Sequence, residues 1–207
     1  MSSREDVQIF RKLPVDGTLI ELEQGDGEPY FCTPEGAEII GWLNGIHFIL
    51  LPEDDTVYCV EPEMEEGSFV LPVGRDFREF LSYLLYCKCT SPLAQIAGLE
   101  EAQFRALLRE NAERVWPDCG AFLQERDRVL ALLQETFRIR PLDPFQAVKA
   151  QQAAFDPETL HFSEEYYEVL GLVPPWQTAA AENCGDERAC CPAEVCLVEY
   201  EQEEAEL

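Results

Sequence analysis

The apolar pattern of this chain changes its period at Gly74, and this change limits the fold more than any other feature of the sequence. Before Gly74, short apolar runs alternate with turn residues, which is typical of β-strands. After Gly74, apolar residues recur at helical spacing, beginning with Phe77, Phe80 and Leu81. Strands followed by helices predict an α+β fold, in which a small antiparallel sheet in the N-terminal half packs with one face against several α-helices of the C-terminal half.

Three apolar runs in the first third of the chain are separated by acidic turns and predict an antiparallel meander. The runs cover residues 46–51, 56–60 and 68–71. A meander leaves the two acidic turns at opposite ends of the sheet, unless the strand between them is bent or bulged.

The segments upstream of the meander carry weaker signals. Polar and apolar residues alternate over residues 18–23, and with residues 29–32 this alternation predicts a hairpin. Thr33-Pro34 fits a helix start. We therefore expect a short helix that buries Ala37, Ile40 and Leu43 and ends at Asn44-Gly45, because glycine tolerates the left-handed conformation of a helix end. No helix is expected in residues 1–17.

Helical patterns occupy the middle of the chain and set its domain organisation. One pattern, at residues 118–137, is expected to bury Phe122 together with Val129 and Leu133. We expect a single domain over residues 1–172, with a helical extension from about residue 110. Pro174 and Pro175 should end the ordered part of the chain, and residues 173–207 are expected to form an acidic, cysteine-containing tail that is mostly disordered, with one strand at residues 194–200.

The charge balance excludes several classes of partner. The 41 acidic and 15 basic residues give a formal net charge of -26. Nucleic acid and anionic membrane surfaces would repel such a chain, so we expect neither as a partner. The longest apolar run, residues 46–51, is far shorter than the ~20 residues of a membrane span. The N-terminus has no signal-peptide pattern, which predicts a cytoplasmic location.

Chemistry-bearing motifs are sparse. The nine cysteines are irregularly spaced and show no paired CxxC knuckles, so we expect reduced thiols, no metal and no cofactor. His47 lies within an apolar run and is expected to be a half-buried structural residue, whereas His161 is expected at the surface. Neither histidine has a recognisable nucleophile or carboxylate partner, so no catalytic residue is expected.

Two acidic clusters are the most prominent polar features of the sequence. Neither has the alternating spacing of a calcium loop, and sequence alone cannot place two carboxyl groups at the separation a glycosidase needs. Most such clusters are solvated turns that keep a sheet soluble. The functional interpretation is a surface that captures a basic protein, because clustered carboxylates accelerate encounter with a cation. The candidate partner-binding residues are Asp54, Asp55, Glu61, Glu63, Glu65 and Glu66.

Four stretches resemble the SUKH superfamily, the group of cell-wall assembly regulators and bacterial immunity proteins. The main one, residues 67–81, reads GSFVLPVGRDFREFL: a strand ending in proline, a short link and a helix with a Phe-x-x-Phe-Leu face. The others, residues 91–96, 101–108 and 155–167, are similar to a divergent branch of small bacterial proteins near that superfamily. The resemblance covers about residues 28–172. The superfamily usually begins with a helix carrying a Leu-Pro and aromatic pattern, which we do not expect here.

The resemblance implies an intracellular, non-enzymatic binding module of bacterial origin. Such modules often neutralise toxins, including nucleases, and the superfamily has no catalytic residues to transfer. We therefore expect a binding protein for a basic partner, with an immunity protein against a basic toxin domain as its specific form. Two alternatives stay open: a metal-dependent or thiol hydrolase, and a structural subunit of an assembly.

Overall fold

The computed structural model describes residues 2–25, 27–65, 67–113 and 119–177. The expected tail from residue 178 onward and its strand at residues 194–200 lie outside these described residues. All elements below belong to one compact unit, Met1–Gly171. Among the described helices, none combines the length and apolar character that crossing a bilayer requires.

The N-terminal half holds a four-stranded antiparallel sheet in which each strand pairs with the next one along the chain. This order confirms the expected meander and adds one strand to its start. Helices follow the sheet, so the predicted α+β fold is confirmed. The strands are β1 (Glu38–Leu43), β2 (Ile46–Leu50), β3 (Val57–Val60) and β4 (Val70–Gly74).

The α-helices of the described residues lie mostly after the sheet, and several begin where the apolar period predicts. They are α1 (Ser3–Phe10), α2 (Phe77–Cys87), α3 (Ser91–Gln95), α4 (Glu101–Glu113), α5 (Cys119–Phe137), α6 (Phe145–Ala154) and α7 (Glu164–Leu170).

The helix expected over residues 33–43 is wrong, because β1 occupies most of this segment. The register of β1 with β2 shifts between Ile39 and Gly41, so Ile40 is an extra residue in the strand. This bulge turns Ile40 and Leu43 toward the same core although they are three residues apart. A strand with this irregularity has the apolar spacing of a helix, which explains the error.

The hairpin expected over residues 18–32 is also wrong. Gly17–Ile20 form a 3₁₀ turn whose start is capped by Asp16, with 3.0 Å between its Oδ1 and the Thr18 amide nitrogen. Beyond the turn, Glu23 makes a single β-bridge to Trp42. Leu19 and Ile20 are both buried, so the alternation in this stretch does not reflect two faces of a strand.

The expectation of no helix in residues 1–17 is contradicted by α1. Ser2 and Glu5 form a reciprocal capping box at its start, and Val7 and Phe10 are completely buried. Phe10 packs edge-on against Phe77, with 5.6 Å between the ring centroids. The N-terminus is therefore an integral part of the core.

Helix α5 is buried only in its second half. Val129, Leu130, Leu133 and Phe137 pack into the core. Phe122 is 47% exposed, so its expected burial is wrong. The first half of the helix lies against solvent, where Arg126 covers one face of the Phe122 ring.

Both faces of the sheet are covered, so the expectation of helices on one face is too simple. The larger core joins α1, α2, α5 and α6 to one face through residues such as Phe48 and Val57. The other face, which includes Ile49 and Val60, packs against Phe69 and Tyr166. Tyr166 belongs to α7, which lies nearly a hundred residues beyond the sheet in the sequence.

Candidate protein-binding surface

The two acidic clusters lie at opposite ends of the sheet. One is in the β2–β3 loop (residues 51–56), next to the pair Leu50 and Val57, and the other is in the β3–β4 loop (residues 61–69). β3 pairs with β2 along all four of its residues, so it runs straight between the loops over about 10 Å at ~3.3 Å per residue. Charge effects are screened over ~8 Å at physiological salt, so the clusters act as two separate surfaces.

The carboxylates of the β2–β3 loop are engaged within the protein. Asp54 accepts hydrogen bonds from the Thr56 amide at 2.8 Å and from the Tyr58 hydroxyl at 2.7 Å. Burial, with Asp54 beside it, raises the pKa of Tyr58. Asp55 Oδ1 accepts from the amide of Ser3 at 2.7 Å, so this carboxylate holds the first residue of α1. Asp54 and Asp55 therefore have structural partners.

The β3–β4 loop presents its carboxylates differently. Glu63 and Glu65 are exposed, Glu61 is half-buried, and Glu66 lies outside the described residues. Within the described part of the chain, no hydrogen bond or ion pair reaches the carboxylates of the three described glutamates. This loop therefore carries negative charge that no side chain among the described residues neutralises.

Local hydrogen bonds and one buried ring hold the described residues of the β3–β4 loop, 61–65 and 67–69. The amide of Met64 donates to the Glu61 carbonyl at 3.3 Å, and the amide of Ser68 donates to the Glu65 carbonyl at 2.9 Å. Gly67 adopts a φ of 80°, which other residues rarely adopt. Phe69 closes the loop as a buried side chain of the second core. The glutamates are thus held on a preorganised backbone.

Glu61 is the most electrostatically strained of these residues. Partial burial and the nearby charge of Glu63 raise its pKa. Both causes disfavour its negative charge, and a cation placed beside Glu61 would relieve the strain.

A cleft of about 440 Å³ lies beside this loop. The turn between β1 and β2 forms its other side, because that turn and the β3–β4 loop share one end of the sheet. The described lining residues include no Lys, Arg or His, so the cleft joins an apolar wall to an acidic rim. Its lining includes Tyr30, Leu43, Ile46, Glu61, Glu63 and Ser91.

His47 occupies the interior and not a pocket. It is fully buried, not half-buried as expected, and its Nε2 lies 3.0 Å from Thr33 Oγ1. The Trp42 and Tyr30 rings lie 4.6 Å and 5.1 Å from the imidazole. Burial lowers the pKa of His47 to about 4, so the ring is neutral at physiological pH. His161 is exposed, as expected.

The described cysteines are free thiols, and most of them are buried. Burial raises the pKa of Cys32 to about 11 and that of Cys89 to about 12. Thiols with such values are protonated at neutral pH and are weak nucleophiles. Within the described residues, no three His, Cys, Asp or Glu side chains group as metal ligands would.

Sequence reasoning identified the glutamates of the surface but not its apolar parts. Tyr30 and Ser91 reach the cleft from segments far from the β3–β4 loop in the sequence. Only the fold brings these residues together, so no local sequence pattern marks them. Comparison with protein-family models, curated proteins and solved structures finds no match for this chain.

Proposed function

We propose that this protein is a non-enzymatic binding module that captures a basic protein through its β3–β4 loop and the adjoining cleft. One observation carries the proposal: Glu61, Glu63 and Glu65 stand on a preorganised loop without a protein cation among the described residues. Natural surfaces usually intersperse charges of both signs. A concentration of one sign beside a cleft with an acidic rim suits a cationic partner.

The resemblance to the SUKH superfamily supports a binding role. Helix α1 and the Leu13-Pro14 pair that follows it supply the kind of N-terminal element with which that superfamily usually begins. In its specific form, the proposal is an intracellular bacterial immunity protein that neutralises a basic toxin domain. The hydrolase alternative is less favoured, because the buried thiols have raised pKa values and His47 is enclosed by rings.

The experiment compares two charge-matched double variants. Glu63→Gln with Glu65→Gln removes two charges from the loop, and Glu164→Gln with Glu165→Gln removes two exposed charges from α7. The partner is isolated by affinity capture and identified, and its association is followed by stopped-flow fluorescence at low and high salt. The loop variant is expected to slow association several-fold at low salt, whereas the α7 variant retains the wild-type rate.

Dissociation should change little in both variants, because exposed charges act mainly on the encounter. An acidic partner, or an association rate that ignores both salt and the loop variant, would contradict the proposal. The glutamates would then be solvated turn residues.

A further inference from the structure

A second depression lies on the other side of the β3–β4 loop. This groove has a volume of about 380 Å³, within the roughly 300–1,000 Å³ of small-molecule pockets. It runs between the loop, β4 and α6, and the side-chain amide of Gln152 fixes its floor by donating to the Pro72 carbonyl at 3.3 Å. Its lining is mainly apolar and includes Met64, Leu71, Ala97, Gly98, Lys149 and Ala153.

Met64 places the groove next to the proposed site of charge recognition. It lies between Glu63 and Glu65 in the sequence and is half-buried, whereas both neighbours are exposed. Methionine is flexible and polarizable, and it adapts to varied apolar groups at binding surfaces. The loop therefore supplies, within three consecutive residues, both Met64, which lines the groove, and the carboxylates of Glu63 and Glu65, which are unpaired among the described residues.

Charge decides which group can enter the groove. Lys149 lines it and donates from its ammonium group to the Ala97 carbonyl at 2.7 Å. A second cation would be repelled by this ammonium, and the mainly apolar lining favours an apolar group. Cations of the same partner are attracted instead to Glu63 and Glu65, which stand on either side of Met64 in the loop sequence.

Charge also discriminates among possible occupants. Residues 178–207 hold nine acidic residues and one arginine, so the chain's own C-terminal segment would meet like charges on the β3–β4 loop. A second copy of the chain brings a net charge of -26. A basic segment that carries an exposed apolar side chain has neither disadvantage.

We propose that this groove receives an apolar side chain of the basic partner, while flanking lysine or arginine residues of that partner contact Glu63 and Glu65. The inference rests on the proposed function and adds to it the sequence character of the partner's segment: a large apolar residue with basic residues on both sides.

Two fluorescein-labelled synthetic peptides test the inference by fluorescence anisotropy. Both consist of lysine and arginine around one central residue, which is leucine in one peptide and serine in the other. The leucine peptide is expected to bind about tenfold more tightly, because most of its central side chain leaves water. Ala153→Phe, which fills the groove from an exposed position of α6, should abolish this preference.

Ala154→Phe is the matched control, because Ala154 is exposed on the same helix and does not line the groove. It should keep the preference for leucine, and thermal midpoints should show that both variants fold. The Glu63→Gln and Glu65→Gln double variant should weaken both peptides by the same factor. Equal binding of the two peptides to the wild-type protein would overturn the inference alone. Failure of both peptides to bind would overturn the proposed function and the inference with it.

Discussion

The imidazole of His47 lies among the rings of Tyr30 and Trp42, with Thr33 as its one hydrogen-bond partner among the described residues. Its Nδ1 is buried without a partner in that part of the chain. Protonation would place a charge in this environment without a counter-charge, which explains why the pKa falls to about 4. Burial thus makes His47 a structural residue whose titration opposes folding.

The pH dependence of stability should reveal this titration. An unfolded histidine has a pKa of ~6.5, so between pH 6.5 and pH 4 His47 binds a proton in the unfolded state but not in the folded state. The wild-type free energy of unfolding should therefore fall by roughly 2 kcal/mol more than that of His47→Gln between pH 7 and pH 5. Urea denaturation at both pH values measures the difference. His161→Gln, which replaces the exposed histidine, is the control for the substitution itself; a His47→Gln variant with the same pH dependence as the wild type would contradict the assignment.

Asp55 is the residue that holds α1 to the sheet. Its carboxylate accepts from the Ser3 amide, and the Ser3 hydroxyl in turn accepts from the Phe77 amide at the start of α2 at 3.0 Å. Asp55→Ala removes this acceptor and should lower the free energy of unfolding by about 1–2 kcal/mol, because the buried amide of Ser3 loses its acceptor. Asp55→Asn keeps an acceptor oxygen and should lose clearly less. Urea denaturation compares them, and equal losses would show that hydrogen bonding at this position is unimportant.

At the scale of elements, the sequence predicts those with regular apolar periodicity but not those with irregular geometry. β2, β3 and α2 follow apolar patterns that match their structures, because the runs of β2 and β3 are buried on both faces of the sheet and α2 packs its apolar residues into the core. β1 contains a bulge, and its apolar residues therefore repeat as those of a helix would. The 3₁₀ turn at Gly17–Ile20 buries the adjacent residues Leu19 and Ile20, which the alternation expected for this stretch does not describe.

Helix α1 carried a signal that the prediction did not use. Ser2 followed by Glu5 is the pattern of a capping box, and it stands directly before the apolar residues Val7 and Phe10. The charged residues before Val7 and after Phe10 concealed the apolar face of α1, since only one side of a short helix enters the core. The sequence therefore indicates the start of α1 more clearly than its end.

The turn between β1 and β2 provides a test of β1, the strand found where the sequence pattern predicts a helix. Asn44 adopts a φ of 50° and, with Gly45, joins paired residues Leu43 and Ile46. Asn44→Ala should lower the free energy of unfolding by about 1 kcal/mol, because a β-carbon disfavours the left-handed region, whereas Asn44→Gly should be nearly neutral. Chemical denaturation distinguishes the two variants. Greater stability of the alanine variant would instead favour the helix that the sequence pattern suggested.

At the scale of the whole molecule, the second core and the candidate site depend on contacts between distant segments. Tyr166 of α7 packs against Phe31, which precedes the sheet in the sequence, and against Phe69, which lies between β3 and β4. The cleft and the groove likewise combine the β3–β4 loop with residues from either side of it. Periodicity describes one element at a time, so the acidic part of the site was predictable and its apolar parts were not.

The net charge of the molecule suggests a conflict between stability and binding. Residues 1–74 hold 16 acidic and three basic residues, and self-repulsion of such a surface opposes the compact state. Glu63 contributes directly, since its charge is one cause of the raised pKa of Glu61. A residue that opposes folding and serves binding is typical of functional sites, where activity limits stability.

Glu63→Gln should therefore stabilise the free protein while it weakens capture of the basic partner. At low salt, relief of repulsion with Glu61 should raise the thermal midpoint by about 1–2 °C, the effect of a few tenths of a kcal/mol in a domain of this size. In ~1 M NaCl the gain should vanish, because screening then acts within ~3 Å. Differential scanning calorimetry at both salt concentrations measures this, with Glu164→Gln as the charge-matched control. A lower midpoint for Glu63→Gln at low salt would show that Glu63 makes a favourable contact in the free protein. The carboxylates of the β3–β4 loop would then not be an unpaired surface for binding cations.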